Sequence, residues 1–336
     1  PDSECQAPFA VDIREHAAFR ALMLVNQRQL ELTGQRHRAV VSCHGHTAYP
    51  TAQLIKGTNA YANLISAVTK MKNYAQANSL TPVYRGTLWV HGEADFAASG
   101  SGYRTTLKTL RDDLNTDIKA VTGQAQNIPL FITQQSNFSN YSHSIGTISY
   151  PVLDQLQAHI DYPGEVILCT PMYPGENIST ANPHYAGHQT ARWAHGIGNA
   201  MSRVVVDGAT WNPLRPKTIT RNGNLVDIEF WVPTGSLVLD TVYAANTADG
   251  FFGFDFRQTG GTTTLTGVSL LNPTTLRFTL SAAPNGTTPR IRAGRNSSAA
   301  IAVSGVRTGA RTCLRDSASD TPWQCHWCVH FDVDVP

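Results

Sequence analysis

Leu88-Trp89-Val90-His91-Gly92-Glu93-Ala94-Asp95 is the stretch from which the rest of the chain is read. A strand-like run from Tyr84 to Val90 stops abruptly at a histidine, a glycine and two carboxylates. Helical patterns flank it on both sides. A buried parallel strand has this form when its carboxyl end opens into a site, because ligands of open α/β sheets sit just outside such strand ends. The stretch is therefore expected to be the floor of a functional site.

Working upstream, Tyr61, Leu64, Ile65, Val68 and Met71 share one helical face. Before them, Ala39 to Cys43 reads as a short strand that ends in His44-Gly45-His46-Thr47. Phe19, Leu22, Met23 and Leu30 keep helical spacing up to Gly34. Downstream, Leu107, Leu110, Leu114, Ile118 and Val121 line a long helix with Gly123 just past its end. Ile128 to Thr133 and Glu165 to Cys169 read as strands. Val152, Leu153, Leu156 and Ile160 mark the helix between them, and Trp193, Ile197, Ala200, Met201 and Val204 a closing helix. Strands alternating with helices predict an α/β fold with a parallel sheet covered on both faces. Right-handed crossovers then gather the carboxyl ends of the strands on one edge. His44, Gly45, His91, Glu93 and Asp95 should meet there.

Beyond Trp211-Asn212-Pro213-Leu214-Arg215-Pro216 the helical period disappears. Leu225–Val232, Leu237–Tyr243, Phe251–Phe256, Thr263–Leu271, Thr275–Leu280 and Trp327–Val335 read as short strands separated by Gly, Asn and Pro. This predicts an antiparallel, jelly-roll-like β-sandwich. Two domains are expected, 1–211 and 212–336.

The chain has 336 residues, 41% of them hydrophobic and 15% charged, which fits a packed globular protein. The net charge is +2 and there is no basic run, so nucleic acid is not an expected partner. No apolar stretch approaches membrane-spanning length, so no membrane partner is expected either. Six cysteines do not make a disulfide scaffold. Asn-X-Ser/Thr triplets begin at Asn137, Asn140, Asn177, Asn285 and Asn296 and do not fix the compartment.

Three constellations carry candidate chemistry. His91, Glu93 and neighbouring backbone N–H groups are placed to hold a developing oxyanion, and Gly45 lets a backbone N–H approach a ligand closely. His184, in Asn182-Pro183-His184, is a candidate general base with Asn182 to orient its ring. A fourth cluster, Cys325-His326-Trp327-Cys328-Val329-His330, has zinc-ligand residue types but no common finger spacing. A strand with Trp327, Val329 and Phe331 on one face is the preferred reading, with a Cys313–Cys325 disulfide as one arrangement open to it. No metal and no cofactor are expected.

Taken together, these blocks resemble the SGNH (GDSL-like) hydrolases, in particular their sialate O-acetylesterase-like and phage-associated carbohydrate esterase branch. Trp89 to Asp95 resembles the branch's W-x-x-G-E-S-D block, and Pro129 to Gln134 its P-L-F-I-T-Q strand. His44 to Thr47 with Lys56-Gly57-Thr58 and Tyr61 is similar to its glycine-containing second block. Asn182-Pro183-His184 with Arg192-Trp193 and Gly196 is similar to its D-P-H…R-W-x-G block. Ala310 to Ser317 and Trp327 to Val335 resemble a C-terminal β-domain attached to such phage enzymes. The resemblance implies a three-layer sandwich and ester hydrolysis through an acyl-enzyme on an acetylated carbohydrate or other ester. It implies Gly45 as an oxyanion donor, His91 and Glu93 as residues shaping the site, and His184 as the base.

The family's serine stands in a first block, a strand followed by Gly-Asp-Ser or Gly-Gln-Ser, and no such block occurs between Pro1 and Val40. The expectation is that it lies upstream of Pro1, on a cleaved N-terminal segment or a separate chain. Asn182 stands where the family has Asp. The other reading is a non-catalytic virion structural or glycan-binding protein that retains the fold. Virion or homo-oligomeric partners and a secreted or virion-associated setting complete the expectation. His188 is the second candidate for the base.

Overall fold

The computed structural model describes residues 17–35, 37–46, 48–95, 102–136, 150–179, 182–294, 305–307 and 309–336. In chain order the first part runs α1 (Ala17–Thr33), α2 (Asn59–Ala77), β1 (Thr87–Trp89), α3 (Gly102–Thr122), β2 (Leu130–Gln134), α4 (Tyr150–Asp161) and β3 (Val166–Pro171). A hairpin of β4 (Asn177–Ser179) and β5 (Asn182–Tyr185) precedes α5 (Gly187–Met201). β1, β2 and β3 form a parallel sheet in that order, with Leu88 opposite Phe131 and Phe131 opposite Ile167.

Every residue of β2 and β3 is buried, as expected of parallel strands covered on both faces. Alternation sorts the side chains. Leu130, Ile132, Val166 and Leu168 join Leu107, Leu114 and Ile118 of α3 and Leu156 of α4. Phe131, Ile167 and Cys169 point the other way, to Ala21 of α1 and Trp193 and Ile197 of α5. Helices thus sandwich the sheet. α1 and α5 approach closely because Gly198 has no side chain; a Cβ there would lie 2.5 Å from Leu24 Cδ1.

Three expectations need correction here. Ala39–Cys43 is not a strand: it is exposed coil, with Val40 64% exposed, because no described segment hydrogen-bonds to it as a neighbour. The strand expected from Tyr84 to Val90 is only Thr87–Trp89. Gln124 takes the Tyr84 backbone instead, with Tyr84 N donating to Oε1 at 2.8 Å and Nε2 donating to Tyr84 O at 3.0 Å. In α1 the buried residues are Ala17 and Ala21, while Phe19 and Met23 are exposed. The buried positions of α1 are thus small, and Leu24 is the large residue that packs on Gly198 of α5.

The rest of the chain is antiparallel. β6 (Arg215–Asn222), β7 (Leu225–Trp231), β11 (Thr275–Leu280) and β10 (Leu265–Asn272) make one sheet, ordered β10-β11-β7-β6. β9 (Phe254–Thr259), β12 (Thr287–Ala293) and β14 (Phe331–Asp334) make another, ordered β14-β12-β9. β8 (Val238–Leu239) pairs with β13 (Leu314–Arg315). The two larger sheets face each other through aromatic rings. Phe254 meets Phe278 edge-on at 5.3 Å, and Phe230 meets Phe331 at 6.1 Å. The strand expected over Leu237–Tyr243 shortens to β8 because Asp240 Oδ1 accepts from Val242 N and Tyr243 N, folding a turn.

Candidate functional site

β1 ends at Trp89, and the next residues are fixed by a chain of hydrogen bonds. His91 is buried. One ring nitrogen, Nε2, lies 2.9 Å from the Tyr49 carbonyl, which can only accept, so Nε2 carries the proton. Nδ1 then accepts from the Tyr103 hydroxyl at 2.9 Å, and that hydroxyl in turn accepts from Trp89 Nε1 at 3.1 Å. Both nitrogens of His91 are engaged. Its geometry is that of a positioning residue, not of a base.

The turn after His91 is a 3-10 segment, Glu93–Asp95. Gly92 sits at φ +140°, and a Cβ there would press on Gln155 Nε2 at 3.0 Å. The same Gln155 Nε2 donates to His91 O at 2.7 Å, while its Oε1 accepts from Gln135 N at 3.0 Å. Asp95 Oδ2 accepts from Thr51 N at 2.9 Å and from the Thr51 hydroxyl. Through Tyr49 and Thr51 the loop that carries Gly45 is therefore stapled to the His91–Asp95 turn at two points. Gly45 itself is exposed, with no atom near its missing Cβ. Thr47 lies outside the described residues.

Glu93 is half-buried, and that burial pushes its carboxyl above the ordinary glutamate range, against the pull of His91 and His184. The His184 side chain is exposed, and its carbonyl faces Asn177 Nδ2 at 3.5 Å. Asn182 is in the same strand; its side chain lies outside the described residues. The hairpin rests on α5, with the rings of Tyr185 and Trp193 edge-on at 5.8 Å. His188 is exposed in the first turn of α5, with Nε2 3.0 Å from Gln189 Nε2. His91 and Glu93 share the turn at the end of β1, and the loop that carries Gly45 is tied to that turn through Tyr49 and Thr51.

Tyr49, Thr51, Tyr103 and Gln155 were not singled out in the sequence. Only Tyr103 has a local signal: it precedes Leu107 by four positions, on the face that Leu110 and Leu114 continue.

The Cys325–His330 segment corrects two expectations. Cys313 and Cys325 are both free thiols. Their Sγ atoms donate instead to Ala244 O at 3.2 Å and Ser319 O at 3.1 Å. The segment is not a strand: only Trp327 bridges, to Arg315, β14 starts at Phe331, and Cys328 and His330 are as inaccessible as Trp327 and Val329. His326 Nδ1 meets Asp316 Oδ2 at 2.7 Å. Among the described residues no group of three or more His, Cys, Asp or Glu side chains is placed to hold a metal ion. Ser136 Oγ and His330 Nε2 are 3.0 Å apart, but both residues are 0% exposed and closed to a substrate. Burial pushes the His330 pKa down to about 3, so the ring is neutral.

No family model and no curated protein sequence matches this chain. Among solved structures, a carbohydrate acetylesterase from Xanthomonas citri is similar at 16% identity with a TM-score of 0.49, over 75% of this chain and 50% of that one. The N-terminal part of the bacterial S-layer protein SbsC is similar at 11% identity with a TM-score of 0.24, over 95% of this chain and 78% of that one. The chain thus spans half the length of the acetylesterase. Likenesses this slight carry no weight for any residue or activity. No described helix is long and apolar enough to cross a membrane.

Proposed function

We propose that the chain is a serine ester hydrolase of the carbohydrate O-acetylesterase type, acting through an acyl-enzyme, with residues 1–211 carrying the site and 212–336 an accessory jelly-roll-like module. The observation that supports the reading is the His91–Asp95 turn at the carboxyl end of β1, tied at His91 and at Asp95 to the loop that carries Gly45. In this reading His184 takes the proton of the serine and Asn182 orients its ring. The Gly45 N–H receives the oxyanion, and His91 and Glu93 hold the wall.

The serine belongs to a segment upstream of residue 1. Two observations support that placement. β1 has a hydrogen-bonded neighbour on one side only among the described residues, and Val40 and Val41 are left exposed. A further strand would use both.

One residue favours the second reading, a non-catalytic protein of the same architecture. Asn182 supplies no charge to stabilise an imidazolium. The test is hydrolysis of p-nitrophenyl acetate by the full-length protein, with trapping by a fluorophosphonate. Turnover and stoichiometric labelling of an upstream serine are expected. His184→Ala should abolish both, His188→Ala should leave both intact, and Asn182→Asp should raise turnover. A full-length protein that neither turns over nor becomes labelled overturns the esterase reading.

A further inference from the structure

A second concavity lies away from this site. A groove of about 660 Å³ opens between α1, the C-terminal part of α5, the Trp231–Thr234 segment and the Ala318–His326 segment. None of Gly45, His91, Glu93 or His184 lines it. Its volume is in the range of small-ligand sites.

We propose that this groove binds a neutral oligosaccharide. Two indoles, Trp211 and Trp231, line it, and Trp231 is 39% exposed. Between them stand uncharged hydrogen-bonding side chains, among them Gln27, Asn199, Thr234 and Gln324. Its charged side chains cancel: Arg28 and Arg203 against Glu31 and Asp207. Arg28 is already committed to Asp207 at 2.8 Å, with Glu31 at 4.0 Å.

That composition discriminates among ligands. A polyanion would find no excess of positive charge. A purely apolar ligand would desolvate amides whose bonds within the protein use only part of their capacity: Gln27 Nε2 donates to Glu31, Asn199 Nδ2 meets His326 and Gln324 Oε1 accepts from Ser319. A neutral sugar satisfies both kinds of wall, because its C–H face packs on an indole while its hydroxyls bond to amides and paired ions. Burial, with Arg20 and His326 nearby, pushes the His195 pKa down to about 4, so His195 adds no charge to the wall.

The test is titration of the full chain with xylotetraose, mannotetraose and chitotetraose, and with hexagalacturonate as the anionic probe, read by calorimetry and tryptophan fluorescence. At least one neutral tetraose should bind saturably. Trp231→Ala should weaken that binding about tenfold or more, and Gln27→Ala should weaken it severalfold. Trp231→Phe should keep most of the affinity and lose the fluorescence response. Gln27 is exposed on α1, so its variant tests the groove even if Trp231→Ala fails to fold. The proposal is overturned if no neutral tetraose binds at roughly 10 mM, if binding survives both Trp231→Ala and Gln27→Ala, or if hexagalacturonate binds more tightly than the neutral probes.

Discussion

Gln134 and His330, far apart in the chain, are joined as a strand pair would be: His330 N donates to Gln134 Oε1 at 2.7 Å, and Gln134 Nε2 donates to His330 O at 2.8 Å. The same Nε2 also donates to Val152 O at 3.0 Å. One side chain at the end of β2 thus satisfies three buried backbone groups, two of them from the segment that leads into β14. Gln134→Leu keeps the volume but leaves all three without partners. A loss of about 3 kcal/mol or more is expected. Urea unfolding monitored by tryptophan fluorescence measures it. A loss under about 1 kcal/mol would mean that water or another group replaces the amide.

The Asp95–Thr51 contact predicts a different balance. It joins buried Thr51 to partly buried Asp95, so Asp95→Ala, which leaves the Thr51 N–H without this acceptor, should cost about 1–3 kcal/mol of global stability. The local effect should be larger. With one staple gone, the exposed segment 37–46 should be cut faster by protease, and p-nitrophenyl acetate turnover should fall about tenfold. Thr51→Val removes the hydroxyl partner of the same carboxylate, so the double variant should be hardly worse than Asp95→Ala alone. Additive losses would show that the two residues act separately.

Glu93 gives a pH dependence of definite sign. Its carboxyl is raised by burial, so the folded state holds this proton more tightly than the unfolded chain does. Ionising it in the fold therefore costs stability, a cost absent at low pH and present once the pH passes the ordinary glutamate range. Glu93→Gln, which cannot ionise, should match the parent in melting temperature at pH 4 and exceed it at pH 7. Thermal melts across that interval check the sign. A variant less stable at pH 7 would mean that His91 and His184 hold the carboxylate charged.

How legible this was in the sequence differs by element. β2, β3, α3 and α5 were readable because their burial is set by the period of their own apolar residues. β6 and β12 were not: Arg215-Pro216-Lys217 and Pro289-Arg290-Ile291-Arg292 look like loops. They form strands because the charges are answered across the sheet. Arg292 pairs with Asp255, and Arg290 with Asp332 at 2.5 Å. Cross-strand partners are invisible to a local pattern. The Cys325–His330 segment misled for a related reason. Alternation predicted a strand there, whereas side chains of Gln134, Tyr173 and Asn199 take its polar groups in place of a neighbouring strand. At the candidate site His91, Glu93 and His184 were visible as residue types. The Tyr49 carbonyl and the Tyr103 hydroxyl that fix His91 were not, because a backbone acceptor has no sequence signature.

Buried His330 gives the stability of the fold a dependence on acid. His330 is fully inaccessible, and burial pushes its pKa down to about 3 from the ordinary 6.5. Below pH 6.5 the unfolded chain takes up this proton while the folded chain does not, so stability falls as the pH drops. One such group contributes a slope of about 1.4 kcal/mol per pH unit across that window. His159, buried and pushed down to about 4 by desolvation and by nearby Arg215, adds to the slope above its own pKa. His330→Leu should therefore be the weaker protein at pH 7, where it loses the Ser136 hydroxyl contact, yet shed less stability than the parent between pH 6.5 and pH 4. Urea midpoints at half-unit intervals should show the two curves converging as the pH falls. Parallel curves would mean that the His330 ring is protonated in the folded protein and draws its stability from a charge.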